Sequence, residues 1–178
     1  AVPHMIENKF GRILNCASDA WVGIGNMAAY SAANAGVVGM TKACAVELAR
    51  FGITCNAYCP QAASPGHITG FSEVLRTLSS AVGKSNMDAA RRAEVDKDHG
   101  DAVDMAPFLA YLCSHYGKEV SGSVFSVRAS GKIELYSDPV VVRKLSKEGT
   151  PWTVEELAKE VPRRLFDNYI NFAKTNQY

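Results

Sequence analysis

"GRILNCAS" at 11–18 is followed, after a short loop, by "YSAANAGVVGMTKACAVELARFGITCNAYCP" at 30–60. The first piece is a short continuous run of apolar and β-forming residues, the pattern of a strand covered on both faces. A helix of about 28–50 comes next, rich in Ala, Ser and Gly over its first half, with Gly52 placed to stop it. "ITCNAYCP" at 53–60 is a second buried strand, closed by a proline. Strand, long helix and strand in this order predict a right-handed parallel crossover in an α/β fold.

Outward from this core, the composition turns polar over 61–100, with Gly66, Gly70 and Gly83 and weakly amphipathic pieces such as "FSEVLRTL". A stretch of that length without strong periodicity is more often a lid or binding segment than a plain connector. In "DMAPFLAYLCSHYG", Asp104 is placed to cap a helix and Pro107 is tolerated in its first turn. "SGSVFSVR" and "GKIELY" predict strands around a turn at Ser130 and Gly131. Thr153 and Glu156 form the sequence signature of a capping box, Pro162 is expected to stop that helix, and "RRLFDNYINFAK" is a candidate for another. The expected division is 1–141 as the sheet domain and 142–178 as an extension with short helices.

Composition excludes several classes. The 178 residues, 47% hydrophobic and 21% charged, suit a globular chain with one sizeable core. A net charge of +1 with scattered Lys and Arg gives no basic stripe for nucleic acid. No apolar run approaches the roughly 20 residues that span a bilayer, and the opening residues lack the apolar centre of a signal peptide. Five cysteines (Cys16, Cys44, Cys55, Cys59 and Cys113) fall in apolar stretches without a CxxC pair, which predicts buried, reduced thiols and a cytoplasmic setting. The four histidines lack metal-ligand spacing.

Two candidate sites emerge. "GIGNMA" (Gly23, Gly25, Ala28) matches a dinucleotide fingerprint, but its first glycine stands several residues past the strand and the next strand ends without the ribose-holding acid. We read that match as coincidental. The other candidate is Ser18 with Tyr30. Ser18 sits at the C-terminal end of a parallel strand, where open α/β sheets bind ligands, and Tyr30 opens the helix beyond the loop. A serine that donates to an oxygen beside a tyrosine that exchanges a proton with it suits carbonyl–alcohol chemistry. A turn serine and a packing tyrosine would give the same two letters.

The framework from "GRILNCAS" through "YSAANAGVVGMTKACAVELARFGITCNAYCP" resembles the short-chain dehydrogenase/reductase family, and the likeness continues more weakly from Asp104 to Arg128. "GSVFSVRASGKIELYS" and the tail are most similar to a subgroup that includes 3-hydroxyacyl-CoA dehydrogenases. The resemblance implies the C-terminal part of a doubly wound, Rossmann-like sheet. It makes Ser18 the carbonyl-polarising serine and Tyr30 the proton donor and acceptor, with NAD or NADP as cofactor. Pro60, Gln61, Ala62, Ala63 and Ser64 become the loop facing the nicotinamide, in a place where many relatives carry Pro-Gly, and 61–100 becomes the substrate lid. An acyl-CoA or other small-molecule substrate and an oligomer formed through the helix at 28–50 are further implications.

This sequence departs from the family at two points. Four residues after the tyrosine, on the same helix face, the family has a lysine whose cation lowers the tyrosine pKa and binds the cofactor ribose; here the residue is Asn34. An unperturbed tyrosine, with a pKa of about 10, is ionised about one part in a thousand at pH 7, and a nearby cation lowers that pKa by about 1–3 units. A neutral amide does not, although it can hold a water or a ribose hydroxyl, and Lys42 has the wrong spacing to substitute. The family also carries its phosphate loop and ribose-selecting acid on the half of the sheet that precedes "GRILN", so the resemblance predicts that this cofactor-binding half is absent from the chain. The rival expectation is therefore a non-catalytic or truncated subunit supporting an active partner; a third is an acyl-CoA-binding module without redox chemistry.

Overall fold

A computed structural model of the chain describes residues 1–25, 27–63, 100–149 and 151–167. It divides into two compact units, Ala1–Tyr136 and Ser137–Tyr178. Most of the expected lid, the loop residue Ser64 and most of the expected last helix lie outside the described residues.

The first unit is an α/β layer structure. A short helix α1 (Val2–Glu7) leads into β1 (Gly11–Cys16), then α2 (Ala28–Leu48) and β2 (Ile53–Gln61). After the undescribed segment come α3 (Ala106–Cys113), β3 (Val124–Arg128) and β4 (Ile133–Leu135). The sheet order is β1-β2-β3-β4; β1 and β3 both pair parallel with β2, and β4 returns antiparallel along β3. Successive side chains of a strand face opposite ways. Ala57 and Cys59 therefore meet Val38 of α2 with Ala17 and Val124, whereas Tyr58 lies with Leu112 and Phe108 of α3, Phe125 and Val127.

Local chemistry explains the element ends. Ala and other good helix formers carry α2 through 21 residues. A 3-10 turn (Ala49–Phe51) then closes at Gly52, whose φ of 73° is the left-handed conformation that favours glycine. At the N-terminal end of the sheet, Arg12 donates to three carbonyls: Gly11 (2.7 Å), Gly52 (3.2 Å) and Ser114 (3.2 Å). Its guanidinium also lies 4.4 Å from the centre of the Phe10 ring.

Several expectations need correction. The helix at 106–113 has no side-chain cap; Asp101, not Asp104, does the capping, by accepting from the Val103 N–H at the start of a 3-10 turn (Ala102–Met105) that runs into α3. Only Cys55 and Cys59 are fully buried, because β2 is central; Cys16 ends strand β1 and Cys113 ends α3, and both are exposed, with Cys44 between the two extremes. Burial drives the Cys55 thiol up to about 11 and that of Cys59 up to about 12, the latter helped by the neighbouring Asp19 charge.

In the second unit, α4 (Val154–Arg164) starts with the expected capping box: Glu156 N–H donates to Thr153 Oγ1 (3.2 Å) and Thr153 N–H to Glu156 Oε2 (2.9 Å). Lys147 Nζ donates to both Glu156 carboxylate oxygens at 2.7 Å and, with the Thr153 N–H, holds that carboxyl below the usual carboxylate range. Pro162 does not stop α4 but lies within its last turn. Only one helical N–H is lost there, and the helix closes with Leu165 N–H on the Val161 carbonyl. Among the described residues no helix is long and apolar enough to cross a membrane.

Candidate active site

The C-terminal ends of parallel strands leave the loops of an α/β sheet clustered at one edge, and the candidate residues lie there. Strand β1 stops at Cys16, and Ala17 N–H still bonds the Tyr58 carbonyl (2.8 Å). Ser18 then caps a 3-10 turn (Asp19–Val22), its Oγ accepting from the Ala20 N–H at 3.3 Å. A hydroxyl that accepts there keeps its own proton for donation. Tyr30 stands in the first turn of α2 and is 49% exposed, so its ring is open to solvent rather than packed in the core. The loop is tied to this turn by a hydrogen bond from Ile24 N–H to Ser31 Oγ (3.3 Å). Ser18 and Tyr30 thus flank one loop.

Asn34 is one turn further along α2. Its Nδ2 donates to the Tyr30 backbone carbonyl at 2.9 Å, so the amide is engaged with its own helix. Lys42 is placed elsewhere, donating to the Gly122 carbonyl at 3.1 Å. On β2, Pro60 and Gln61 are partly buried; just past its end Ala62 is buried, and Ala63 N–H donates to the Gly100 carbonyl (2.9 Å) across the ends of the undescribed segment.

Sequence reading missed the side chain of this edge that is most connected among the described residues, Asp19. Its Oδ1 accepts from the Tyr136 hydroxyl at 2.7 Å. Its Oδ2 accepts from the Ser126 hydroxyl at 3.0 Å and from Gln61 Nε2. Burial pushes the Tyr136 hydroxyl well above the usual tyrosine value, and the Asp19 carboxylate adds to this, so Tyr136 serves as a fixed donor. The Trp21 ring meets Tyr136 edge-on, with centroids 5.2 Å apart. The partners of Asp19 are 42, 107 and 117 residues away in sequence, so no local pattern announces the cluster. The only hint is the position of Asp19, directly after Ser18.

The same framework recurs in known proteins. Residues 1–129 match the family described as enoyl-(acyl carrier protein) reductase. The chain is 60% identical over 57 residues to the (2S)-[(R)-hydroxy(phenyl)methyl]succinyl-CoA dehydrogenase subunit BbsD of Thauera aromatica, covering 32% of this chain and 23% of that protein. It is 32% identical over 149 residues to the hydroxyacyl-CoA dehydrogenase ChsB1 of Mycobacterium tuberculosis, covering 83% of this chain and 42% of that protein. Among solved structures, a short chain dehydrogenase from Mycobacterium avium superposes with a TM-score of 0.58 at 25% identity, over 92% of this chain and 47% of its own. The chain thus spans less than half the length of these relatives. With the parallel strands and the long crossover helix in place, the chain belongs to the short-chain dehydrogenase/reductase family.

Proposed function

We propose that this chain is part of an oxidoreductase that interconverts a secondary alcohol and a ketone with NAD or NADP, on a 3-hydroxyacyl-CoA-like substrate. The observation that carries this reading is the pair of hydroxyls on either side of one loop at the C-terminal edge of the sheet: Ser18 in the turn after β1, and Tyr30 half-exposed at the start of α2. Ser18 would donate to the substrate oxygen, and Tyr30 would give or take the hydroxyl proton. The bound nicotinamide supplies or accepts the hydride. Pro60, Gln61, Ala62, Ala63 and Ser64 would border the cofactor, and the segment 61–100 would cover the substrate. The acyl-CoA names of the two relatives support this substrate class. The five unpaired thiols suit a cytoplasmic setting.

A second reading, a non-catalytic subunit working beside an active partner, is favoured by Asn34. Its amide supplies no cation to Tyr30 and is spent on the helix backbone. Association would use the outer face of α2, where Ala29, Ala33, Gly36, Met40 and Ala43 are exposed at helical spacing. A methyl group added at Gly36 or Gly39 would meet nothing within 4 Å, so a second helix has room to approach.

NADH fluorescence on the purified chain, with a dehydrogenase assay of the wild type and of Asn34→Lys, separates the two. The enzyme reading expects cofactor binding and at least a tenfold rise in turnover near neutral pH for Asn34→Lys, since about one unit off the tyrosine pKa is worth that factor. No binding at millimolar NADH, together with no gain from the lysine, leaves the subunit reading.

A further inference from the structure

The structure assigns Asp19 as a positioning residue that locks the turn bearing Ser18 to the end of β2 through the Gln61 side chain. This inference rests on the proposed function for its catalytic meaning, but its physical content is a coupling between two segments that can be measured without turnover.

Four parts of the first unit converge on one carboxylate. Asp19 opens the 3-10 turn capped by Ser18, Gln61 is the last residue of β2, Ser126 lies within β3, and Tyr136 follows β4. Gln61 Nε2 also lies 3.4 Å from Ser126 Oγ, so the amide is held from two sides. A carboxylate accepts only. It therefore fixes which edge of the Gln61 amide faces it, and the Nε2 edge is committed to Asp19 while Oε1 is left as an acceptor for other groups.

A glycine at position 61 would offer no side chain to be clamped. In this chain the clamp joins the Ser18 turn to the strand end that would border a cofactor. Hydrogen bonds to a charged group in a partly buried site are stronger than neutral ones, and their geometry is correspondingly fixed. Tyr136 closes the other side of the carboxylate, packed against Trp21 of the same 3-10 turn.

Hydrogen–deuterium exchange on the full chain tests the lock. Gln61→Ala, 42 residues from Asp19, should speed exchange over residues 18–23 by about tenfold while residues 106–113 in α3 keep the wild-type rate. Asp19→Asn should do the same over 18–23 and over 61–63. Ser126→Ala, which removes one donor and spares the other two, guards against a variant that fails to fold. If the wild type turns over substrate, Asp19→Asn should lower kcat about tenfold or more with KM within about twofold. Unchanged exchange over 18–23 in Gln61→Ala, or a uniform rise across the whole first unit, overturns the lock; so does an active enzyme whose kcat ignores Asp19→Asn. A wild type that binds no cofactor and catalyses nothing removes the proposed function, and the exchange pattern alone then decides the role of Asp19.

Discussion

The two faces of the sheet are built differently toward their C-terminal ends. Against α3, Leu112, Phe125 and Val127 form an apolar cluster, with Phe108 edge-on to Phe125 at 5.1 Å. Against α2, the apolar packing of Val38, Ala57, Cys59 and Val124 gives way to Asp19, Gln61, Ser126 and Tyr136, joined by hydrogen bonds. Apolar burial is strong and non-directional, so it can hold a sheet without fixing any one polar atom. A hydrogen-bonded carboxylate adds less net stability but permits only a few geometries. The α3 face thus supplies stability, and the α2 face supplies placement at the edge where the candidate catalytic hydroxyls lie.

The sharpest way to break this contrast is Leu112→Ala. The residue is fully buried, and its truncation should lower the free energy of unfolding by about 2–5 kcal/mol in urea denaturation, with the m-value unchanged. A loss below about 1 kcal/mol would show that the α3 face is not the main store of stability. Ser126→Ala should cost less, about 1–3 kcal/mol, because Asp19 keeps its bonds to Gln61 and Tyr136. A cost equal to that of Leu112→Ala would erase the difference between the faces.

Alkali gives a third test, one that acts on the α2 face. The Cys55 and Cys59 thiols titrate at about 11 and about 12 in the folded chain against 9.0 for a free thiol. Between these values the unfolded chain has released protons that the folded chain retains, so the unfolded state binds fewer protons and stability falls as pH rises. The stabilising contribution is complete below pH 9 and disappears as pH climbs toward 11 and 12. Denaturation midpoints should therefore drop between about pH 9 and about pH 12, and mutating both thiols to alanine should flatten that drop. At about pH 8 a thiol reagent should label the exposed Cys16 and Cys113 at once, and Cys55 and Cys59 only on unfolding. The smallest effect belongs to Val46, 81% exposed on the outer face of α2: Val46→Lys should change stability by no more than about 0.5 kcal/mol. Sedimentation should show weaker self-association for that variant if this face joins copies of the chain.

The crossover was legible because its signals are local. The apolar runs at 11–18 and 53–60 became parallel partners in register from Gly11 opposite Ile53 to Cys16 opposite Tyr58, and the glycine stop at Gly52 and the capping box at Thr153 took their expected forms. The extent of burial was less legible, since a cysteine at the end of β1 and one in the middle of β2 sit in equally apolar surroundings in the sequence. The candidates Ser18, Tyr30 and Asn34 could be named from their positions along a strand, loop and helix. The Asp19 cluster could not, because it exists only once β2, β3 and the residue after β4 have been brought alongside the β1 turn.

At the opposite edge of the sheet, the Arg12 side chain has a consequence for how the chain comes apart. One planar fork gathers the carbonyls of its neighbour, of the glycine that ends the first crossover helix, and of the residue that follows α3. Fraying that begins at any one of these three segments strands donors shared with the other two. The base of the sheet should therefore open as a single cooperative unit, and partial openings should begin instead at the ligand-facing edge.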